Sequence, residues 1–271
     1  MGFETTAADV VGRFNVTPRA QRTYSKWLGD ESRTEVVDYV SGHRTRLLHE
    51  VDPAHVEQTC RSTDHALDNV QKTMAVAVEP IESWNPAFAF THVLHYAIEK
   101  ERRILTWQQF FSFIREDPLA DRMLWTPSIL MTEQVLEQYG DRWSKFEVHS
   151  AIRWRVGNAY YSFLREVYVV SHWRALGLDV RVHPLADALF RVDAWYQNTV
   201  VSLYVGNRRY RERGVGRKIS VTEMLGGAQP PFRFVEIRLP AASRFGEVLL
   251  PSLAEVRSVA RRIDPDLSLT R

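Results

Sequence analysis

One acid, Asp193, stands in the apolar and aromatic stretch FRVDAWYQNTVVSLYVGN between Phe190 and Asn207. The stretch reads as two short strands around a Gln197-Asn198 turn, with Asp193 on the first. A carboxylate in a core-like strand is costly to bury without a partner, and buried charges are paired or hold metals. Just beyond lies RRYRERGVGRK, in which Arg208, Arg209, Arg211, Arg213, Arg217 and Lys218 face one acid, Glu212. Arginine dominates this run, and its planar fork suits phosphate oxygens. The C-terminal part adds Arg257, Arg261, Arg262 and Arg271, although the whole chain carries a net charge of only +2. A basic patch on a near-neutral chain can grip a phosphate backbone without making the whole protein adhesive.

A second cluster is His92, His95 and Glu99 in FTHVLHYAIEKE, at i, i+3 and i+7, one face of a helix. Two imidazoles and a carboxylate can bind zinc or another transition metal. The alternative is a polar stripe of satisfied histidines beside aromatics. Neither a GxxxxGK[ST] phosphate loop nor a GxGxxG after a strand occurs, so nucleotide-driven work has no support, and the GxSxG hydrolase elbow is also absent.

The elements that must position these residues follow from periodicity and caps. Thr17-Pro18 opens a helix to about Leu28, and Arg33 to Glu50 reads as a second. Asp52-Pro53 opens a third, reaching Val78. Asn85-Pro86 starts another; Thr106 caps the next, and Thr126-Pro127 one that ends near Gly140. Lys145 to Leu176 reads as one long helix or two, stopped by Gly177. The period then changes. Asp179–Val182, Leu189–Tyr196, Thr199–Val205 and Phe232–Leu239 read as strands, with a short helix near Val221–Leu225 and a closing helix from Pro251 to Ile263. The expected architecture is α/β: a helical N-terminal domain over residues 1–144, then a small mixed sheet flanked by helices over 145–271.

This order resembles the core of the PD-(D/E)XK nuclease superfamily, a helix, a three-strand meander, a helix and another strand, over about residues 155–240. Glu166 in YSFLREVYVVSHWRALG matches the helix acid, and Asp193 in FRVDAWY the strand acid. The resemblance implies that these two hold Mg2+ or Mn2+, hard cations that take oxygen ligands, polarise a phosphate and activate a bound water. It implies a nuclease acting on nucleic-acid phosphodiesters, DNA ahead of RNA, of a kind common in defence systems and mobile elements. The chain departs from the pattern on the third strand, where Ser202 and Tyr204 stand at the positions of the acid and the lysine. Tyr204 or Lys218 then assists the water or the developing charge. Asp187 in PLADALF is an alternative strand acid, and Glu236-x-Arg238 is an acid-x-base pair on the fourth strand. The departure equally fits a subunit that has lost catalysis and binds nucleic acid or assembles with a protein partner. Cutting both strands takes two sites, which leaves a homodimer open. Separately, Arg44 and His49 in HRTRLLHE resemble the arginine-to-histidine spacing of HEPN ribonucleases, with Thr45 in place of their usual polar residue and a helix as the expected setting.

Composition agrees with a globular chain. Of 271 residues, 45% are hydrophobic and 25% charged, which allows a sizeable core. The lone cysteine, Cys60, excludes an internal disulfide and suits a reducing, cytoplasmic setting. No apolar run approaches the length of a membrane span, so no membrane partner is expected.

Overall fold

The computed structural model describes residues 4–206 and 219–267. The first half is built from α1 (Ala7–Phe14), α2 (Pro18–Leu28), α3 (Thr34–Gly42), α4 (Leu47–Glu50), α5 (Pro53–Ser62), α6 (Lys72–Ala75), α7 (Glu79–Glu82), α8 (Phe90–Glu101), α9 (Trp107–Glu116), α10 (Pro118–Ala120) and α11 (Thr126–Tyr139). Strands β1 (Thr5–Thr6) and β2 (Arg44–Thr45) pair antiparallel. Side-chain caps set most of the starts. Thr6 with Asp9 and Thr106 with Gln109 form reciprocal boxes, and Thr17 and Asp52 cap helices whose first residue is proline.

Two expected helices are interrupted for identifiable reasons. The one read over Arg33–Glu50 ends at Gly42, because His43 is extended with its ring bound to Tyr39 and Arg44–Thr45 joins a sheet. The one read over Asp52–Val78 stops at Ser62. Thr63 is extended there, and its hydroxyl accepts from Trp107 N at 2.7 Å and lies 3.3 Å from Tyr160 Oη. Such a buried side-chain to backbone bond outweighs local propensity for continuing the helix.

Ser144 and Glu147 then box the start of α12 (Lys145–Ala175), a single helix of 31 residues. After it come α13 (Pro184–Phe190), β3 (Ala194–Tyr196), β4 (Thr199–Val205), α14 (Val221–Leu225), β5 (Arg233–Leu239), β6 (Ser243–Phe245), β7 (Val248–Leu250) and α15 (Leu253–Ala260). β3 pairs antiparallel with β4, and β4 runs parallel to β5, with Ser202 opposite Glu236 and Tyr204 opposite Arg238. The fold is therefore mixed α/β, mostly helical with small sheets.

The strand read over Leu189–Tyr196 is corrected: it is helix through Phe190 and strand only from Ala194. His183 caps α13, Pro184 occupies its first turn, and Arg191 ends it at φ 64°. The strand read over Asp179–Val182 reduces to one antiparallel bridge, Arg181 to Trp195. The β6–β7 hairpin, which packs on α5, had no counterpart in the sequence reading.

One apolar cluster contains residues from Ala7 to Ile263 and so spans both sides of position 145. α12 runs through it with Tyr160, Leu164, Tyr168 and Trp173 essentially inaccessible. Trp173 is 0% exposed, and its indole N–H donates to Val256 O at 3.1 Å. Among the described residues no helix is long and apolar enough to cross a membrane. Trp173→Ala removes the pin between α12 and α15 and opens a large void. Urea denaturation is expected to show a loss of about 3–5 kcal/mol; a loss under about 1 kcal/mol would mean that α12 is held elsewhere.

Candidate functional site: a cavity lined by three carboxylates

α12, α13 and the turn before β3 surround a cavity of about 20 Å³ into which Glu166, Asp187 and Asp193 all project part of their surface. That is room for about one water or one bare ion. The apolar part of the wall comes from Phe163, Val167 and Val170 of α12, from Leu203 of β4, and from Leu48 and Val182. Asp193 Oδ2 accepts from Leu203 N at 2.7 Å, which continues the β3–β4 pairing past Ala194–Val201 with a carboxylate in place of a main-chain carbonyl. Glu166 Oε1 accepts from Ser162 Oγ at 3.4 Å, one turn earlier on α12. Both carboxylates are partly buried and make further contacts.

The sequence-derived residues therefore divide. Glu166, Asp193 and the alternative acid Asp187 share the cavity. Ser202 and Tyr204 are not among its lining residues, because β4 presents Leu203 to that side and alternate residues face away. Ser202 is buried next to Glu236, and the Arg238 guanidinium lies 5.8 Å from the Tyr204 ring centre while also pairing with Glu236. Arg208, Arg209, Arg211, Arg213, Arg217 and Lys218 lie outside the described residues.

The back of the cavity is imidazole. His95 and His183 line it, and behind them His43 lies with ring centres 5.9 Å from His95 and 5.2 Å from His183. His92 and His49 complete the group, and all five are buried. His183 Nδ1 accepts from Leu185 N at 3.1 Å, while its Nε2–H donates to His43 O at 3.2 Å. His49 Nε2 accepts from Val182 N at 3.2 Å, and His92 Nδ1 from Ala89 N at 3.2 Å. Among the described residues, His43 Nε2, His92 Nε2 and His95 Nδ1 find no partner. Burial, reinforced by the neighbouring rings, pushes His43 and His92 down to about 3, His183 to about 4, and His95 well below the ordinary histidine range. Nothing in the sequence pattern points to His43 or His183, which are far apart in the chain and meet only through α3 and α13.

The other two clusters resolve into structure. Glu99 turns away from His92 and His95 and caps α4: Oε1 accepts from Arg46 N at 3.0 Å and Leu48 N at 3.2 Å, and Oε2 from Leu47 N at 2.9 Å. Arg44 is on β2 and pairs with Glu4 at 2.7 Å, while His49 is on α4 with its ring bound to Val182 N. The helical setting expected for the HEPN-like spacing thus holds for His49 but not for Arg44.

No group of three His, Cys, Asp or Glu side chains among the described residues is arranged to hold a metal by itself. The cavity's hard carboxylate oxygens nevertheless have the right chemistry for Mg2+ or Mn2+, which are commonly held by one or two carboxylates with water and substrate phosphate completing the shell. Comparison with family models, with curated proteins and with solved structures returned no match.

The buried imidazoles set the pH dependence of stability. A histidine held neutral in the fold has its pKa lowered from the ordinary value near 6.5, so the unfolded chain binds the extra proton. The contribution is full above about pH 6.5 and is lost as pH falls toward about 3. Between pH 6.5 and 5, unfolding free energy is expected to drop by up to about 1.4 kcal/mol per pH unit for each such histidine. A urea-midpoint series from pH 7.5 to 5 that stays flat would contradict neutral burial.

Proposed function

We propose that this chain is a metal-dependent nuclease-like protein acting on nucleic-acid phosphodiesters, DNA ahead of RNA, on a core of PD-(D/E)XK type. The observation that carries the reading is the sharing of one small cavity by Glu166 and Asp193, acids from a helix and from the edge of a sheet. The chain order supports it in outline, with α13 inserted ahead of the hairpin: α12, the Arg181 bridge, α13, β3, β4, α14 and then β5 parallel to β4. Under this reading Glu166 and Asp193 supply the oxygens that hold Mg2+ or Mn2+, with Asp187 as the third acid of the wall. Bound there, the ion polarises a phosphate and acidifies a water. Asp193 is fixed for the task by its bond to Leu203 N, so one of its oxygens is oriented at no further entropic cost. The basic run Arg208–Lys218 supplies phosphate contacts, and Lys218 the assisting cation.

A second reading is a subunit that binds nucleic acid without cutting it. It is favoured by β4, whose contribution to the cavity is Leu203, whereas Ser202 and Tyr204 stand where an acid and a lysine are expected.

Supercoiled plasmid, linear duplex and single-stranded substrates with Mn2+ separate the two. The nuclease reading expects cutting by the parent and a drop of at least about 100-fold for Asp193→Ala and Glu166→Ala. Salt-sensitive binding without cutting by any of the three supports the binding subunit. Neither cutting nor salt-sensitive binding removes both.

A further inference from the structure

Three backbone N–H groups near the cavity end on imidazole nitrogens. Val182 N donates to His49, Leu185 N to His183 at the start of α13, and Ala89 N to His92 at the start of α8. Each ring nitrogen accepts through its lone pair, so each must be unprotonated. For His183 the tautomer is fixed from both sides, since Nε2–H is spent on the His43 carbonyl. A proton added to any of these rings can go only to the accepting nitrogen. There it meets an N–H pointing at it, and the bond is replaced by a clash of two donors.

The groups around His183 do little to welcome that proton. His43 faces it from the end of α3, His49 from α4, and His92 and His95 from α8. Asp9 of α1 acts on it favourably, but is held by Thr6 and neighboured by Arg181. α2 meets α13 at its far end, where Tyr24 stacks on Phe190, and α14's carboxylate, Glu223, is engaged at its own N-terminus. Glu166, Asp187 and Asp193 lie across the cavity.

We propose that this histidine nest is an acid-release latch: protonation severs the bonds that hold residues 182–185 and the start of α8, and frees α13, with Asp187, from the wall of the cavity. Every bond broken joins a backbone N–H to an imidazole, at a helix start or beside the Arg181 bridge. β4 and β5 are laddered to one another and hold no histidine, so they stay closed. The latch stands apart from the nuclease reading, because its readouts are structural.

Hydrogen exchange followed by mass spectrometry from pH 7.5 to 4, corrected for the intrinsic rate, tests it on the full chain. Peptides covering 180–190 and 85–95 are expected to lose protection at higher pH than those covering β4 and β5. His183→Asn places a non-titrating acceptor at the same cap, and His49→Gln does so for Val182. Each is expected to move the midpoint for 180–190 toward acid by about half a pH unit or more. His149→Gln, at an exposed position on α12, is expected to leave it in place. If His183→Asn does not fold, His49→Gln carries the same comparison. The latch is overturned if all segments open in one step, if neither variant moves the midpoint, or if His149→Gln moves it equally.

Discussion

A buried peptide group must find a hydrogen-bond partner, and several loop segments of this molecule find one on α12. Tyr160 donates to Leu105 O, and Tyr161 accepts from Ala66 N. Arg153 reaches Ala66 O, Arg155 reaches Trp84 O, Arg165 reaches Leu249 O, and Arg174 reaches both His49 O and Val180 O. Trp173 closes on Val256 O. One helix thus satisfies loops from both halves of the chain. Its polar residues point in many directions, which is why it shows no single apolar face. Arginine suits the role, because its long stem packs on apolar neighbours while its fork reaches the carbonyl.

The complementary need, acceptors for buried N–H groups, is met by histidine beside the cavity. A carboxylate would satisfy the same donors, and Glu99 does so for three amides of α4. That position is only partly buried, and burial still raises the Glu99 pKa despite the three bonds. Deeper in the core a neutral imidazole accepts without bringing a charge. The two kinds of acceptor therefore sort by depth, carboxylates toward the rim and imidazoles behind. The cavity sits where the two meet.

Elements bounded by side-chain caps and turn residues were legible in the sequence. α2, α9, β4, α14 and α12 fall within a residue or two of where proline, threonine and serine caps and aromatic alternation put them. Three of the departures share one physical form. Thr63 leaves its helix to bond Trp107 N, and the chain leaves α3 at His43 so that Arg44–Thr45 pairs with Thr5–Thr6. The third case is α13, capped by a histidine in a stretch rich in strand formers. In each, a partner remote in sequence or an unusual capping residue overrode local propensity. The site was legible to the same extent. Asp193 could be singled out because an acid in an apolar run is conspicuous by itself, and Glu166 by its place on the helix ahead of the strands. His43 and His183 look ordinary until α3 and α13 bring their rings together.

The alternation along β4 bears directly on what the cavity can do. β4 meets α12 with Leu203 and turns Ser202 and Tyr204 toward the other face, where Glu236 and Arg238 of β5 lie alongside in register. A one-residue slip would exchange the two faces, but Asp193 opposes it by bonding Leu203 N directly. The same carboxylate that lines the cavity thus holds the register that keeps Tyr204 out of it. Under the nuclease reading, the group that activates a water at Glu166 and Asp193 is then not supplied by β4. The chain places its densest run of cations, Arg208–Lys218, immediately after that strand.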